Sequence, residues 1–314
     1  MKIVVTGALG HIGSALIRSL PAGLPNLELT LIDSLLTQRF CSLFDLPSTA
    51  RYRFVEADVT KADLRPAIEG AHAVIHLAAM TEAAASFSRP EQVEENNFQA
   101  VLKVAEASAA AGARFFFPSS TSVYGASERT VVEDCLPEEL NPQSPYAGSK
   151  LKEEQLVREL VRKQGLKAVT CRFGTIFGTS PGMRFHTAVN KFCWQAVMGT
   201  PLSVWKTALD QRRPYLALSD ALRAIPFLLQ QDLFDGRVYN IVTLNATVRD
   251  IIETIRKVVP GVRTNLVDSP IMNQFSYDVS CERIQSAGFA FTGDLLAEVN
   301  ATIQCLRAAN SATR

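Results

Sequence analysis

"VVTGALGHIGSALIRSL", residues 4–20, decides the fold. An apolar, strand-like run that begins at Lys2 breaks at three glycines, Gly7, Gly10 and Gly13, and resumes as a helical pattern over 11–20. Small residues between a buried strand and a helix let the backbone approach a pyrophosphate, whose charge then faces the positive end of the helix. The spacing G-x-x-G-x-x-G differs by one residue from G-x-G-x-x-G. On its own it also describes a plain strand, turn and helix.

Outward from this turn the first half keeps one rhythm. After the strand at 2–7, apolar runs at 27–33, 53–58, 73–79, 114–120 and 167–174 read as strands. Helical patterns at 94–112 and 146–165 fall between them, closed by Gly112 and Gly165. The alternation predicts an α/β fold, a doubly wound parallel sheet with helices on both faces. Beyond residue 175 the rhythm loosens, and Gly, Pro and Arg punctuate 178–184 and 199–214. Strand and helix logic returns at 213–230 and 238–242, and 245–259 reads as a helix opened by an Asn cap. We expect a dinucleotide-binding domain over 1–174, rejoined by a segment at about 212–245, and a smaller substrate-binding domain over 175–314.

Composition narrows the function. The 314 residues are 47% hydrophobic and 20% charged, with a net charge of +1. No excess charge draws the surface to nucleic acid or an acidic membrane, and no apolar run spans a bilayer. The start MKIVVTGALG lacks a signal-peptide pattern, and the six cysteines include no CxxC pair. A cytoplasmic protein with reduced thiols is expected. The four histidines lack metal-ligand spacing, so no metal is expected.

Candidate chemistry gathers at the C-terminal ends of the strands. Asp33 ends the second strand, where a carboxylate accepts ribose hydroxyls and repels a 2′-phosphate, favouring NAD over NADP. Asp58, followed by Val59, ends the third strand, either near an adenine or as a cap for the next segment. "NPQSPYAGSK", 141–150, places Tyr146 and Lys150 four residues apart, on one helix face. The ammonium favours the phenolate and is expected to pull the tyrosine pKa from about 10 toward neutrality. Such a tyrosine exchanges a proton with an alcohol. "FPSSTSVYG" ends the fifth strand, and Ser120 is the hydroxyl chosen to bond the reacting oxygen.

Together these residues resemble the extended short-chain dehydrogenase/reductase superfamily, in particular its NAD-dependent nucleotide-sugar epimerases and dehydratases. The resemblance covers nearly the whole chain: TGALGHIG with His11 and Ile12, Asp33, HLAA with Leu77, Ala78 and Ala79, Asn97, SSTSVYG, YAGSK, CRFGTIFG and RRPYLALSDAL. It implies a Rossmann domain that keeps NAD bound, with Tyr146 as base on a sugar C4 hydroxyl, assisted by Ser120 and Lys150. It implies Arg213 on the substrate diphosphate and Asn190 among the substrate-binding residues. Trp205 falls where an aromatic ring meets the nucleotide base, or else belongs to the core. A homodimer is implied, with helices near 94–111 and 147–164 forming a four-helix bundle.

Departures from the family pattern sharpen the expectation. Dehydratases carry Asp-Glu after the catalytic hydroxyl residue, and decarboxylases a glutamate two residues before the YG tyrosine; here Thr121 and Ser122 stand there. Thr175 replaces the usual Asn of RxFN. Hydroxyls at 121, 122 and 175 resemble the lining of UDP-hexuronate epimerases, and Arg184 either pairs with a sugar carboxylate or phosphate or is a solvated loop residue. The reading is a UDP-sugar 4-epimerase. The alternatives are a dehydratase or decarboxylase, a keto-sugar reductase that exchanges its cofactor, or a non-enzymatic NAD sensor.

Overall fold

The computed structural model describes residues 1–81, 87, 89–127, 129–268 and 276–310. Seven parallel strands form the main sheet: β1 (Lys2–Thr6), β2 (Glu28–Asp33), β3 (Arg51–Glu56), β4 (Ala73–His76), β5 (Arg114–Ser120), β6 (Ala168–Phe173) and β10 (Val238–Ile241). Their spatial order is β10-β6-β5-β4-β1-β2-β3. The order reverses on either side of β1 and β4, which opens the crevice where such sheets receive ligands. Alternation along β1 makes two cores. Ile3 and Val5 join the apolar cluster on one face, and Val4 joins the cluster on the other.

The first face carries α1 (His11–Gly23) and, far along the chain, α6 (Leu218–Gln230), which pack together. The second face carries α3 (Pro90–Ala110) and α4 (Pro145–Gln164), also in contact, with the short α2 (Arg65–Ile68) beside them. Val101 and Val104 of α3 and Val157 and Leu160 of α4 close over Phe115 and Phe117. The cap is built from β7 (Thr175–Phe177), α5 (Ala188–Val197), β8 (Leu202–Trp205), β9 (Arg212–Ala217), β11 (Leu244–Thr247), α7 (Val248–Val258), β12 (Thr264–Val267), α8 (Glu282–Ser286) and α9 (Leu295–Arg307). β11-β9-β7 form one small sheet and β12-β8 another. A third core joins α5, α7 and α9.

Two expectations need correction. Asn245 does not cap a helix. Residues 244–247 pair antiparallel with β9, and the Asn245 amide bonds both Val279 N (3.0 Å) and Val279 O (3.1 Å). The cap is Thr247, in a reciprocal capping box with Asp250. The helix expected from 146 starts one residue earlier, with Pro145 in its first turn behind the Ser144 cap. The proline's missing N–H would have had no helical partner there.

Candidate active site

α1 starts directly behind the glycine turn. Gly7 has φ of +63°, and a Cβ on it would lie 2.6 Å from the backbone of Leu77 and Ala78. A Cβ on Gly13 would lie 2.5 Å from the Gly7 carbonyl. Side chains are therefore excluded where strand, turn and helix converge. Asp33 Oδ2 accepts from Leu9 N and Oδ1 from Leu35 N, both at 3.0 Å. A carboxylate has about four acceptor sites, so two remain for ribose hydroxyls. Asp58 behaves as a cap: Oδ1 accepts from Thr60 N and Oγ1, which, with Lys61, hold its carboxyl below the ordinary value. Val59 is buried in the second core, and Ile12 packs on the first.

The end of β4 is tied to the turn. Leu77 N bonds Thr6 O at 2.9 Å, and Ala78 N donates to Thr6 Oγ1, which also meets His76 Nδ1 at 2.8 Å. Asn97 reaches from α3 and brackets Met80, accepting from its N at 2.8 Å and donating to its O at 2.9 Å. Ala79, between these ties, stays partly exposed.

β5 ends at Ser120, where the chain turns tightly through 121–123 against α4. Ser120 Oγ accepts from Ser122 N (3.2 Å) and Ser122 Oγ (2.8 Å). With both acceptor positions filled, its own hydrogen is the part left to donate to a substrate oxygen. Thr121 Oγ1 donates to Phe173 O at 3.3 Å. Tyr277 Oη lies 3.5 Å from Thr121 Oγ1 and within the electrostatic reach of Arg213. Arg213 donates to Gln211 at 2.9 Å, and a cleft of about 660 Å³ beside it is lined by residues including Gln211, Arg212 and Tyr277.

α4 supplies the proposed acid–base pair. The Ser144 hydroxyl accepts from Ala147 N, and Gly165 ends the helix in the left-handed conformation. The inward stripe is unusual: Ser149, Lys150, Glu153 and Glu154 are buried beside Ala147, Val157 and Leu160. Lys150 Nζ lies 4.9 Å from the centre of the Phe117 ring and 5.9 Å from that of Tyr146. It donates to Glu153 Oε2 at 2.7 Å. Burial is the largest influence and favours the neutral amine, but Glu153, Tyr146 and Glu154 together outweigh it, and the lysine pKa is raised.

The expected lowering of the Tyr146 pKa is corrected here. Burial comes first and raises it; Lys150 and Arg184 pull it down, Glu153 pushes it up, and the net direction is upward. The spacing of tyrosine and lysine does not reveal the desolvation or the third charge.

The cap reaches over both halves. Arg184 donates through Nη1 to Thr81 Oγ1 beyond β4 and acts on Tyr146 and His11. The Asn190 amide is committed to Gly178 N, Gly178 O and Arg184 O, so it shapes the arginine's loop. Thr175 stands partly exposed at the start of β7. Trp205 ends β8, packed on the third core with part of its ring exposed.

Sequence reading missed three features. Gly182 N donates to Ser14 Oγ at 2.9 Å, and a Cβ on Gly182 would lie 2.4 Å from Leu9 O, so 180–182 lies against the glycine turn. His11 Nδ1 meets Ser180 Oγ at 2.8 Å in the same seam. Beneath the site, Arg172 grips Glu154 through Nε (2.9 Å) and Nη2 (2.7 Å), while Ser119 Oγ donates to Glu154 at 2.5 Å. The available signal was a Glu-Glu pair on the inward stripe of an amphipathic helix. Among the described residues no group of three or more His, Cys, Asp or Glu could hold a metal, and no helix is long and apolar enough to cross a membrane.

Comparison with known proteins bears on this arrangement. Residues 3–242 match the model of the NAD dependent epimerase/dehydratase family. The chain is 29% identical over 249 residues to the uncharacterized UDP-glucose epimerase YtcB of Bacillus subtilis, covering 77% of this chain and 76% of that one. It is 28% identical over 303 residues to the trifunctional UDP-glucose 4,6-dehydratase/UDP-4-keto-6-deoxy-D-glucose 3,5-epimerase/UDP-4-keto-L-rhamnose-reductase of Arabidopsis thaliana, covering 92% of this chain but only 44% of that one. The UDP-glucuronic acid 4-epimerase of Bacillus cereus, solved with UDP-glucuronic acid and NAD, superposes with a TM-score of 0.86 at 25% identity, covering 98% of this chain and all of that one.

Proposed function

We infer that this chain, which belongs to the NAD dependent epimerase/dehydratase family, is a nucleotide-sugar 4-epimerase acting on a UDP-hexose or UDP-hexuronate. One observation carries the reading. The turn after β5 presents hydroxyls at Ser120, Thr121 and Ser122 beside the helix of Tyr146 and Lys150, with no carboxylate in the turn. The two buried acids of that helix are paired to Lys150 and Arg172. Expulsion of water across C5–C6 would need an acid and a base of its own, which the turn does not offer.

The residues at the crevice suit NAD: glycines that exclude side chains at the start of α1, and Asp33 with acceptor sites remaining. Bound NAD would supply the hydride acceptor and donor at C4. Tyr146 takes the proton of the C4 hydroxyl, and Ser120 donates to that oxygen as it becomes a carbonyl. Lys150 stabilises the phenolate through space. A 4-keto sugar that turns within the site and recovers hydride on its other face leaves as the C4 epimer. Arg213 suits the diphosphate through its fork. Arg184, whose charge reaches Tyr146, supports a uronate carboxylate near the reacting carbon.

The test is a panel of UDP-glucose, UDP-N-acetylglucosamine, UDP-glucuronate and GDP- and CDP-hexoses incubated with the purified protein, with no cofactor added. The expected result is a product of unchanged mass and shifted retention, with NAD released when the protein is denatured. A product lighter by water or carbon dioxide overturns the epimerase reading in favour of elimination or decarboxylation. No turnover without added nicotinamide cofactor, together with turnover when it is supplied, overturns it in favour of a reductase.

A further inference from the structure

The two buried acids of α4 are balanced differently. Glu154 faces the two-pronged guanidinium of Arg172. Glu153 is 1% exposed, and among the described residues its only charged hydrogen-bond partner is Lys150, itself 3% exposed; its second oxygen accepts from the neutral Ser149 hydroxyl at 2.7 Å. The cation on which the proposed chemistry depends is therefore held by a carboxylate one turn along the same helix.

We propose that Glu153 is a positioning residue for the reaction: a buried counter-ion that keeps Lys150 charged and sets the pH window in which the Tyr146–Lys150 pair works. An ammonium this deep loses its proton readily unless an anion stands beside it. The same negative charge opposes ionisation of Tyr146. Both groups are acids, so one nearby anion raises both titrations of the coupled pair, and its removal lowers both. Among the described residues, the other charged or titratable neighbours are Glu154 and His76 near Lys150, and Arg184 near Tyr146. Glu154 is answered by Arg172, His76 is neutral at ordinary pH, and Arg184 acts against Glu153 on the phenol. The role in turnover rests on the epimerase reading; the effect on titration does not.

Glu153→Gln keeps the shape and an acceptor while removing the charge. With folding checked by circular dichroism, both limbs of its kcat–pH profile should move to lower pH by at least about one unit, roughly a tenfold rate change at a fixed pH on the acid limb. Tyr146 ionisation is read without substrate, by ultraviolet difference titration against Tyr146→Phe, and its midpoint should fall in Glu153→Gln. Unmoved limbs and an unmoved midpoint in a folded variant overturn the proposal. A lowered midpoint in a protein that turns over no nucleotide sugar supports the counter-ion and overturns only the epimerase reading. If Glu153→Gln fails to fold, Lys150→Met/Glu153→Gln is compared with Lys150→Met: a lower midpoint in the double variant supports the proposal, and equal midpoints overturn it.

Discussion

Tyr146 and Gly13 show what single residues contribute. Tyr146→Phe removes the proposed base and leaves the ring, so kcat should fall by about 10²–10⁴. NAD released from the denatured variant should stay at the level of the unaltered protein. At Gly13, an added methyl meets backbone oxygens at 2.5 and 2.7 Å that have no room to yield. Gly13→Ala should cost at least about 2 kcal/mol, read as a lower denaturant midpoint. Gly148 gives the opposite sign, because a methyl there meets nothing within 4 Å on a helical backbone. Gly148→Ala should stabilise by up to about 1 kcal/mol in the same measurement. The three glycines of the turn and the Tyr146–Lys150 pair were legible because spacing alone implies their proximity. Whether Tyr146 titrates high or low was not, since that depends on burial and on Glu153.

Elements were legible where the hydrophobic pattern was long and uniform. The inner strands of the main sheet stand out because burial on both faces demands continuous apolar runs, as in "AVIH" and "RFFFP", whereas the edge strand β3 carries exposed charged residues. The cap strands β7, β8, β11 and β12 have three or four residues each, too few to establish a period. "LNAT" looked like a helix entrance because Asn is a good cap, yet pairing with β9 and the clamp on Val279 determined its conformation. The true cap makes a prediction. Thr247→Ala should cost about 1 kcal/mol by loss of the hydroxyl that accepts from Asp250 N, while the backbone N–H at 247 keeps its bond to the Asp250 carboxylate. Asn245→Ala should instead loosen the contact with Val279, read as faster amide exchange at Val279.

For the whole molecule, two buried histidines govern acid stability. Burial foremost, aided by Arg184, Arg39 and His186 at His11 and by Lys150 at His76, holds both pKa values down to about 3 from an ordinary 6.5. The unfolded chain therefore binds protons below about pH 6.5 that the folded protein refuses. Stability should be full above that pH and fall as pH drops toward 3, by up to about 1.4 kcal/mol per pH unit for each histidine. His76→Gln should reduce the slope of unfolding free energy against pH between about 4.5 and 6. α3 and α4 lie side by side, tied by Lys152 and Glu94, with Phe98 and Leu102 partly exposed. We expect a homodimer through these helices, and a monomer mass by light scattering would exclude it. The seam at Gly182 has a consequence for motion. Its amide is held by a residue 168 positions earlier, and its α-carbon leaves no gap above the first loop of the chain. Opening that loop therefore lifts the cap segment with it. The two should exchange their amide hydrogens as one cooperative unit, so the first loop has no private route to opening.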